Sequence, residues 1–443
     1  VDTTTQMDRI NLLGADDLKK FINSEATDAE LMDYWGKHAA SVRDFAAAKE
    51  AASKKGDSLI VLLPGVMGST LEDNGDFPQL LWINPLAYVR GQINRLDLDL
   101  DGMQPASRGV NVQVRGLMWI VYAKMLLALQ ANHEIVTFPY DWRLATWSVV
   151  GNLKRFIDDQ LAKSQFNKVT LVGHSLGGLL AMDYVTDPTT CDHAEKVVKR
   201  VITLGTPFRG ALPAVTFLAR GGQDDIKLKI IEGLNSQNNV LQMLRTFPSM
   251  YQILPAPKGL YDGWDPIPGS NIWNPITWSQ LEVPINVMHL QRALEHHKRL
   301  AAADPQVDVY CVAGALYNTP FGLDGDLLRG MLKRAWDGAD SGDGTVATLS
   351  AKFRGRPTYY VYEIHTELVL ERTIIDAIVD WVEEREPIRL VSRLEDVVRL
   401  DMPMRGVLSA EGQAFVSPDE IARKAQQDIP LAHEELRTLA SVM

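Results

Sequence analysis

The chain has 443 residues, 46% of them hydrophobic and 23% charged, which is the make-up of a globular protein large enough for two or three average domains or for one elaborated unit with a cap. Its net charge of −11 argues against nucleic acid as a partner and gives no reason to expect avid binding to anionic membrane. Two cysteines, Cys191 and Cys311, exclude a disulfide framework and favour a reducing compartment.

The first nine residues, Val1 to Arg9, show neither the basic nor the apolar region of a signal peptide, so the expectation is a cytoplasmic protein. Residues 1–56 read as a helical extension. Thr27-Asp-Ala-Glu30 is a capping box, after which Leu31, Trp35, His38, Val42 and Phe45 recur at helical spacing until Lys54-Lys-Gly56 ends the run. From Leu59 the pattern changes. Leu59–Pro64 reads as a buried parallel strand opening into the glycine loop Gly65-Val-Met-Gly-Ser69. Asp97, Asp99 and Asp101 alternate along a strand-like run and read as a solvated face. The apolar run Leu117–Leu129 is too short to span a membrane and contains Lys124, so Leu117–Gln130 reads as a buried helix. A strand at Glu134–Phe138, a helix at Trp147–Ala162, a strand at Val169–Val172, a further helix and a strand at Val197–Leu204 follow.

Repeated strand–helix–strand order predicts an α/β fold with a mostly parallel sheet flanked by helices. The alternation pauses over 211–304, read as an inserted cap, and resumes with strands at Val307–Ala313 and Thr358–Ile364 and a helix at Thr373–Glu384. The expected division is therefore 1–56, an N-terminal helical extension; 57–210 with 305–386, the core; 211–304, the cap; and 387–443, a helical tail with a helix start at Ser417-Pro-Asp-Glu420.

Chemistry concentrates at Gly173-His-Ser-Leu-Gly177. An apolar strand runs into it and an apolar helix runs out, the setting of a nucleophile elbow in the α/β-hydrolase fold. Such a turn exposes the Ser175 hydroxyl, which needs a base, and the base needs an orienting acid. In that fold the chain order is serine, acid, histidine. His365 lies directly after a predicted strand, at the carboxyl end where α/β sheets place their sites; His433, in the tail, is the alternative. Asp343, between two glycines in Asp340-Ser-Gly-Asp-Gly-Thr-Val346, is the candidate acid, with Asp340 and Asp337 as fallbacks. The spacing of these aspartates is not that of a calcium loop, and no His/Cys cluster has zinc spacing, so neither a cofactor nor a metal is expected. The developing oxyanion needs two backbone N–H donors. Leu176 supplies one at the start of the elbow helix; Val66 in the first glycine loop supplies the other, with Met67 as fallback.

Several motifs in order resemble the lecithin:cholesterol acyltransferase-like branch of α/β-hydrolases, lipases and phospholipases among them. They are Leu63-Pro-Gly-Val-Met-Gly-Ser69, Phe138-Pro-Tyr-Asp-Trp-Arg143, the elbow, Leu204-Gly-Thr-Pro-Phe-Arg-Gly210, Phe247-Pro-Ser-Met-Tyr-Gln-Ile-Leu-Pro255, Gly342-Asp-Gly-Thr-Val346 and His365. By position the resemblance implies a Ser175, Asp343, His365 triad and an oxyanion donor at Val66. It also implies a short lid after Ser69, through Trp82 and Tyr88, without the family's lid disulfide. Asp141-Trp-Arg143 reads as a buttress beside the site.

The resemblance implies a serine esterase or lipase acting on a lipid or other apolar acyl ester. Trp82, Trp264 and Trp273 are candidate substrate contacts. An acyltransferase with an alcohol acceptor is the alternative, and a catalytically dead hydrolase-fold binding protein is the alternative from another class. Expected partners are the apolar ester, no nucleic acid and no membrane-spanning segment; peripheral membrane contact and oligomeric state stay open.

Overall fold

The computed structural model describes residues 10–11, 13–75, 79–82, 92–220, 240–325, 327, 331–335, 338, 341–399 and 423. Asp337, Asp340, Tyr88, His433 and the helix start at Ser417–Glu420 lie outside the described residues.

Eleven strands are described: β1 Lys55–Leu63, β2 Ser69–Asp73, β3 Gln79–Trp82, β4 Val112–Leu117, β5 His133–Thr137, β6 Val169–His174, β7 Val198–Leu204, β8 Asp308–Gly314, β9 Thr319–Asp324, β10 Met331–Ala335 and β11 Thr358–Val361. Six of them form one sheet in the order β11-β8-β7-β6-β1-β5, and every neighbouring pair is parallel. Parallel strands need crossovers, which put helices on both faces and bury each strand twice over. That burial explains the unbroken apolar run Leu59–Leu63 of β1, in which no residue is exposed. The sheet is thus the parallel, helix-flanked α/β sheet that the sequence predicts.

The helices Trp119–Gln130, Thr146–Leu161 and Arg372–Val382 fall within two residues of their expected positions, and Leu176–Thr186 follows the elbow as expected. Their registers differ in kind. Trp119–Gln130 is apolar nearly all round and almost wholly buried, whereas Arg372–Val382 buries one stripe of Ile374, Ile375, Ile378 and Trp381.

The N-terminal capping box is present in both directions. The Glu30 N–H donates to Thr27 Oγ1 at 3.2 Å, and the Thr27 N–H to the Glu30 carboxylate at 2.8 Å. Leu31, Trp35 and Val42 are buried, and the Trp35 indole N–H donates to the Trp119 carbonyl, so this stripe packs on the main body. The helix does not continue to Gly56. It ends at Ala47, because Ala51 and Lys55 donate their N–H groups to the carbonyls of Ala131 and Asn132, which draws the chain out alongside the entry to β5.

Two small antiparallel sheets depart from the expected pattern: β3-β2-β4 follows the first glycine loop, and β9-β10 follows β8. The aspartate run is also different from a strand face. Asp99 Oδ1 accepts the N–H groups of Met103 and Gln104, and Gly102 has φ +69°, so residues 97–105 form a turn. Asp97 is half-buried, and burial, eased by the Arg143 charge, pushes its carboxyl up to about 6. No helix among the described residues is long and apolar enough to cross a membrane.

Candidate active site

β6 runs into Ser175, and the helix Leu176–Thr186 starts at the next residue. Ser175 has φ 52° and ψ −121°, a backbone conformation that L side chains rarely adopt. The surroundings hold it there: its N–H donates to the Leu204 carbonyl at 2.8 Å. A Cβ on Gly173 would come within 2.5 Å of the Gly177 and Gly178 backbone, and one on Gly177 would run into the carbonyls of Leu63 and Pro64. Only glycine fits at either side of the serine.

Asp343 and His365 meet at the carboxyl ends of β8 and β11, and both are buried. His365 Nδ1 lies 2.7 Å from Asp343 Oδ2, and the His365 N–H donates to the Asp343 carbonyl at 2.9 Å. The other carboxylate oxygen, Oδ1, accepts the N–H groups of Thr345 at 3.0 Å and Val346 at 2.7 Å. These bonds fix Asp343 as an acceptor toward the ring, so Nδ1 carries the proton and Nε2 is left as the basic nitrogen. Gly205, at the end of β7, packs directly on this pair: a Cβ there would lie 3.0 Å from both Asp343 Oδ2 and His365 Nδ1.

A further chain of hydrogen bonds ties the first glycine loop, through the end of β6, to His365, and sequence reasoning missed it. The Gly65 N–H donates to Tyr122 Oη at 2.8 Å, and Tyr122 Oη lies 3.0 Å from His174 Nδ1. His174 Nε2 lies 3.1 Å from the His365 carbonyl. A carbonyl only accepts, so Nε2 carries the hydrogen and Nδ1 accepts from the tyrosine. Burial, with His365 beside it, pushes the His174 imidazole down to about 3, which keeps it neutral in this role. His174 stood inside the elbow motif. Tyr122, within a helix that is apolar nearly all round, gave no signal.

The first glycine loop lies across the elbow, since a Cβ on Gly65 would come 3.0 Å from Ser175 Cβ. Among the described residues the N–H groups of Val66, Met67 and Leu176 donate to no protein acceptor, and Met67 takes φ 61°. Braces hold this loop from behind. Tyr140 Oη donates to the Pro64 carbonyl at 3.0 Å and the Trp142 indole to the Ser69 carbonyl at 3.0 Å. Asp141 grips Arg143 through Nε at 2.9 Å and Nη2 at 2.6 Å, and Arg143 Nη1 donates to the Leu96 carbonyl.

The three tryptophans take different places. Trp82 is buried, with its indole N–H on the Met67 carbonyl at 2.9 Å and its ring edge-on to Trp142 at 5.2 Å, which makes it a further brace of the loop. Trp264 and Trp273 donate to the carbonyls of Ala256 and Pro255, at 3.2 and 3.1 Å. No hydrogen bond links any of the three to Ser175, Asp343 or His365 among the described residues.

In sequence, residues 113–292 match the model of the lecithin:cholesterol acyltransferase family. No curated protein matches the chain. Among solved structures it is similar to the Bacillus licheniformis lipase BlEst2. In the propeptide form the identity is 14% and the TM-score 0.35, over 75% of this chain and 52% of that one. In the mature form the values are 13% and 0.34, over 72% and 89%. It is also similar to the phospholipase PlaB from Legionella pneumophila, at 11% identity and a TM-score of 0.29 over 68% of this chain and 46% of that one. The chain thus spans about half the length of the propeptide form and of PlaB.

Proposed function

We propose that this chain is an ester-acting serine hydrolase of the lecithin:cholesterol acyltransferase-like α/β-hydrolases and cleaves lipid or other apolar carboxylic esters through an acyl-enzyme on Ser175. The observation that carries this reading is the 2.7 Å contact between His365 Nδ1 and Asp343, seated beside a serine held at φ 52°.

Ser175 Oγ attacks the ester carbonyl while His365 Nε2 takes the hydroxyl proton. Asp343 keeps the ring in the tautomer that can do so and stabilises the imidazolium that results. The carbonyl oxygen, now negative, receives the N–H groups of Leu176 and Val66, with Met67 next in line. The intermediate collapses, the C–O bond to the alcohol breaks, and His365 returns the proton to the departing oxygen. Water then repeats the sequence in reverse and releases the acid. Ser175 Oγ has no hydrogen-bond partner among the described residues, and contacts of this kind commonly tighten only when substrate is bound.

Intact-mass analysis after treatment with a fluorophosphonate tests the reading: one adduct is expected, mapping to Ser175. An unlabelled wild-type chain would instead favour a binding protein on a dead hydrolase fold. The family match also supports transfer to an alcohol, because chemistry up to the acyl-enzyme is shared and only the acceptor differs. Product analysis with and without a long-chain alcohol separates the two, and abundant new ester would replace hydrolysis by transfer.

Tyr122→Phe removes the hydroxyl that bridges Gly65 to His174. Losing bonds of this class costs about 1–3 kcal/mol. Because they fix the groups that act in the transition state, the loss is expected in kcat, about tenfold to a hundredfold, with KM little changed. Steady-state kinetics on a short-chain nitrophenyl ester measures both, and an unchanged kcat would deny the bridge a role in positioning.

A further inference from the structure

The loop that leaves β7 carries a cation with no part in the proposed chemistry. Arg209 closes the motif Leu204-Gly-Thr-Pro-Phe-Arg-Gly210 and is half-buried. Its guanidinium carbon lies 4.9 Å from the centroid of the Tyr261 ring and 5.8 Å from that of Trp264. Both rings are fixed from behind: the Trp264 indole donates to the Ala256 carbonyl and the Tyr261 hydroxyl reaches the Phe208 carbonyl at 3.5 Å. Stacking of this sort orients a planar guanidinium without using its N–H fork.

What the fork lacks is an acceptor. Arg209 Nε is buried and has no hydrogen-bond partner, and neither Nη pairs with a carboxylate among the described residues. The charge of exposed Asp262 is felt at Arg209, but it forms no ion pair there. A second cation stands close by. Phe353 packs edge-on to Phe208 at 5.1 Å, which brings exposed Arg354 alongside, near enough for its charge to act on the Tyr261 hydroxyl. Among the described residues neither arginine has a carboxylate partner, and half-buried Arg209 keeps its N–H fork without one.

Gly205, four residues before Arg209, packs on the Asp343–His365 pair. Four residues cover at most about 14 Å of extended chain, and the Gly210 N–H bonds back to the Pro207 carbonyl, so the loop turns rather than running away. Arg209 thus belongs to the same short turn as Gly205, whose other end packs on the Asp343–His365 pair.

We propose that Arg209, stacked on Tyr261 and Trp264 and flanked by Arg354, receives an anionic group of the ester substrate, a phosphate or a carboxylate, in its free N–H fork. Planar two-pronged recognition of such anions is what guanidinium does best. The inference rests on the ester-cleaving reading and narrows its substrates to amphiphiles with a negative head group.

Two measurements on the full chain test it separately from that reading. The first compares kcat/KM for dioctanoyl phosphatidylglycerol, neutral dioctanoylglycerol and the octanoyl ester of glycolate, which presents a carboxylate. Arg209→Gln is expected to lower the ratio of anionic to neutral turnover about tenfold to a hundredfold, the range for losing a charge-assisted bond. Arg209→Lys, which keeps the charge without the planar fork, is expected to restore part of it. Because a ratio is read, a smaller folded fraction does not imitate the effect. Whichever anionic ester suffers more identifies the head group, and an unchanged ratio for both overturns the proposal.

The second measurement is calorimetric binding of dihexanoyl phosphatidylglycerol to Ser175→Ala, with and without Arg209→Gln. Binding weakened at least tenfold by the second substitution supports the anion site even in a chain that takes no fluorophosphonate label, in which case only the hydrolytic reading fails. Equal binding by both proteins overturns the anion site while leaving a labelled Ser175 untouched.

Discussion

Ser175→Ala is expected to lower kcat by about four to six orders of magnitude, with the fold intact. In the proposed mechanism, removing the nucleophile leaves only the binding surface and the N–H donors at Val66 and Leu176, which support a residual rate above that in water but no acyl-enzyme. Asp343→Asn is the more discriminating companion. Asp343 Oδ1 accepts two backbone N–H groups, from Thr345 and Val346. An asparagine would keep its single oxygen there and turn its NH2 toward His365 Nδ1. That reverses the hydrogen bond, drives the ring proton to Nε2 and leaves no basic nitrogen to face the serine, for a loss of about 10⁴ in kcat. Stopped or steady-state assays with a nitrophenyl ester read both, alongside circular dichroism to show that the chain has folded. A Ser175→Ala protein that keeps more than about a hundredth of the wild-type kcat would sink the nucleophile assignment.

The residues of that prediction were legible because chemistry constrains them along the chain. A serine between glycines at a strand–helix junction implies a later acid and a later histidine, and Asp343, in a glycine-flanked turn, and His365, after β11, follow in that order. Tyr122 had no such constraint. Within Trp119–Gln130 almost every side chain is buried, so periodicity singles out no position, and the hydroxyl matters only because tertiary packing sets it against Gly65 and His174. The aspartate run 97–101 misled for the opposite reason. Alternation with leucine imitates a strand, while the side-chain turn at Asp99 and the positive φ of Gly102 decide the local path. Trp82 shows a related limit: its place in a lid-like segment follows from resemblance, while the 2.9 Å bond of its indole to the Met67 carbonyl is set by tertiary packing alone.

Asp183→Ala is expected to destabilise the fold by about 3–5 kcal/mol, the cost of removing one member of a buried charge cluster. Asp183 lies on the helix that follows the nucleophile and is fully buried. Its Oδ1 meets His296 Nε2 at 2.9 Å and Arg299 Nη2 at 2.7 Å, while Oδ2 accepts the Thr146 hydroxyl. Gln252 closes the cluster, its Oε1 taking the Thr146 N–H at 2.9 Å. Four helices, Thr146–Leu161, Leu176–Thr186, Pro248–Gln252 and Val287–Ala302, thus converge on one carboxylate. Alanine would leave the ring without its anion and the guanidinium with only the longer Asp187 contact at 3.8 Å, and would open a void among them. The pH dependence gives a second check. Burial alone would raise the Asp183 pKa, but the His296 and Arg299 interactions and the Thr146 bond together outweigh it, so the carboxyl titrates below its usual range. A depressed carboxylate pKa stabilises the fold above the unfolded value of about 3.9, and that contribution disappears as pH falls through the native value. Urea unfolding of the two proteins should therefore show the full difference near neutrality and a shrinking one below about pH 4. A difference under about 1 kcal/mol at pH 7 would mean that the cluster's desolvation cost cancels its attractions. In that case the junction between the nucleophile's helix and Val287–Ala302 would owe its stability to the apolar contacts around it.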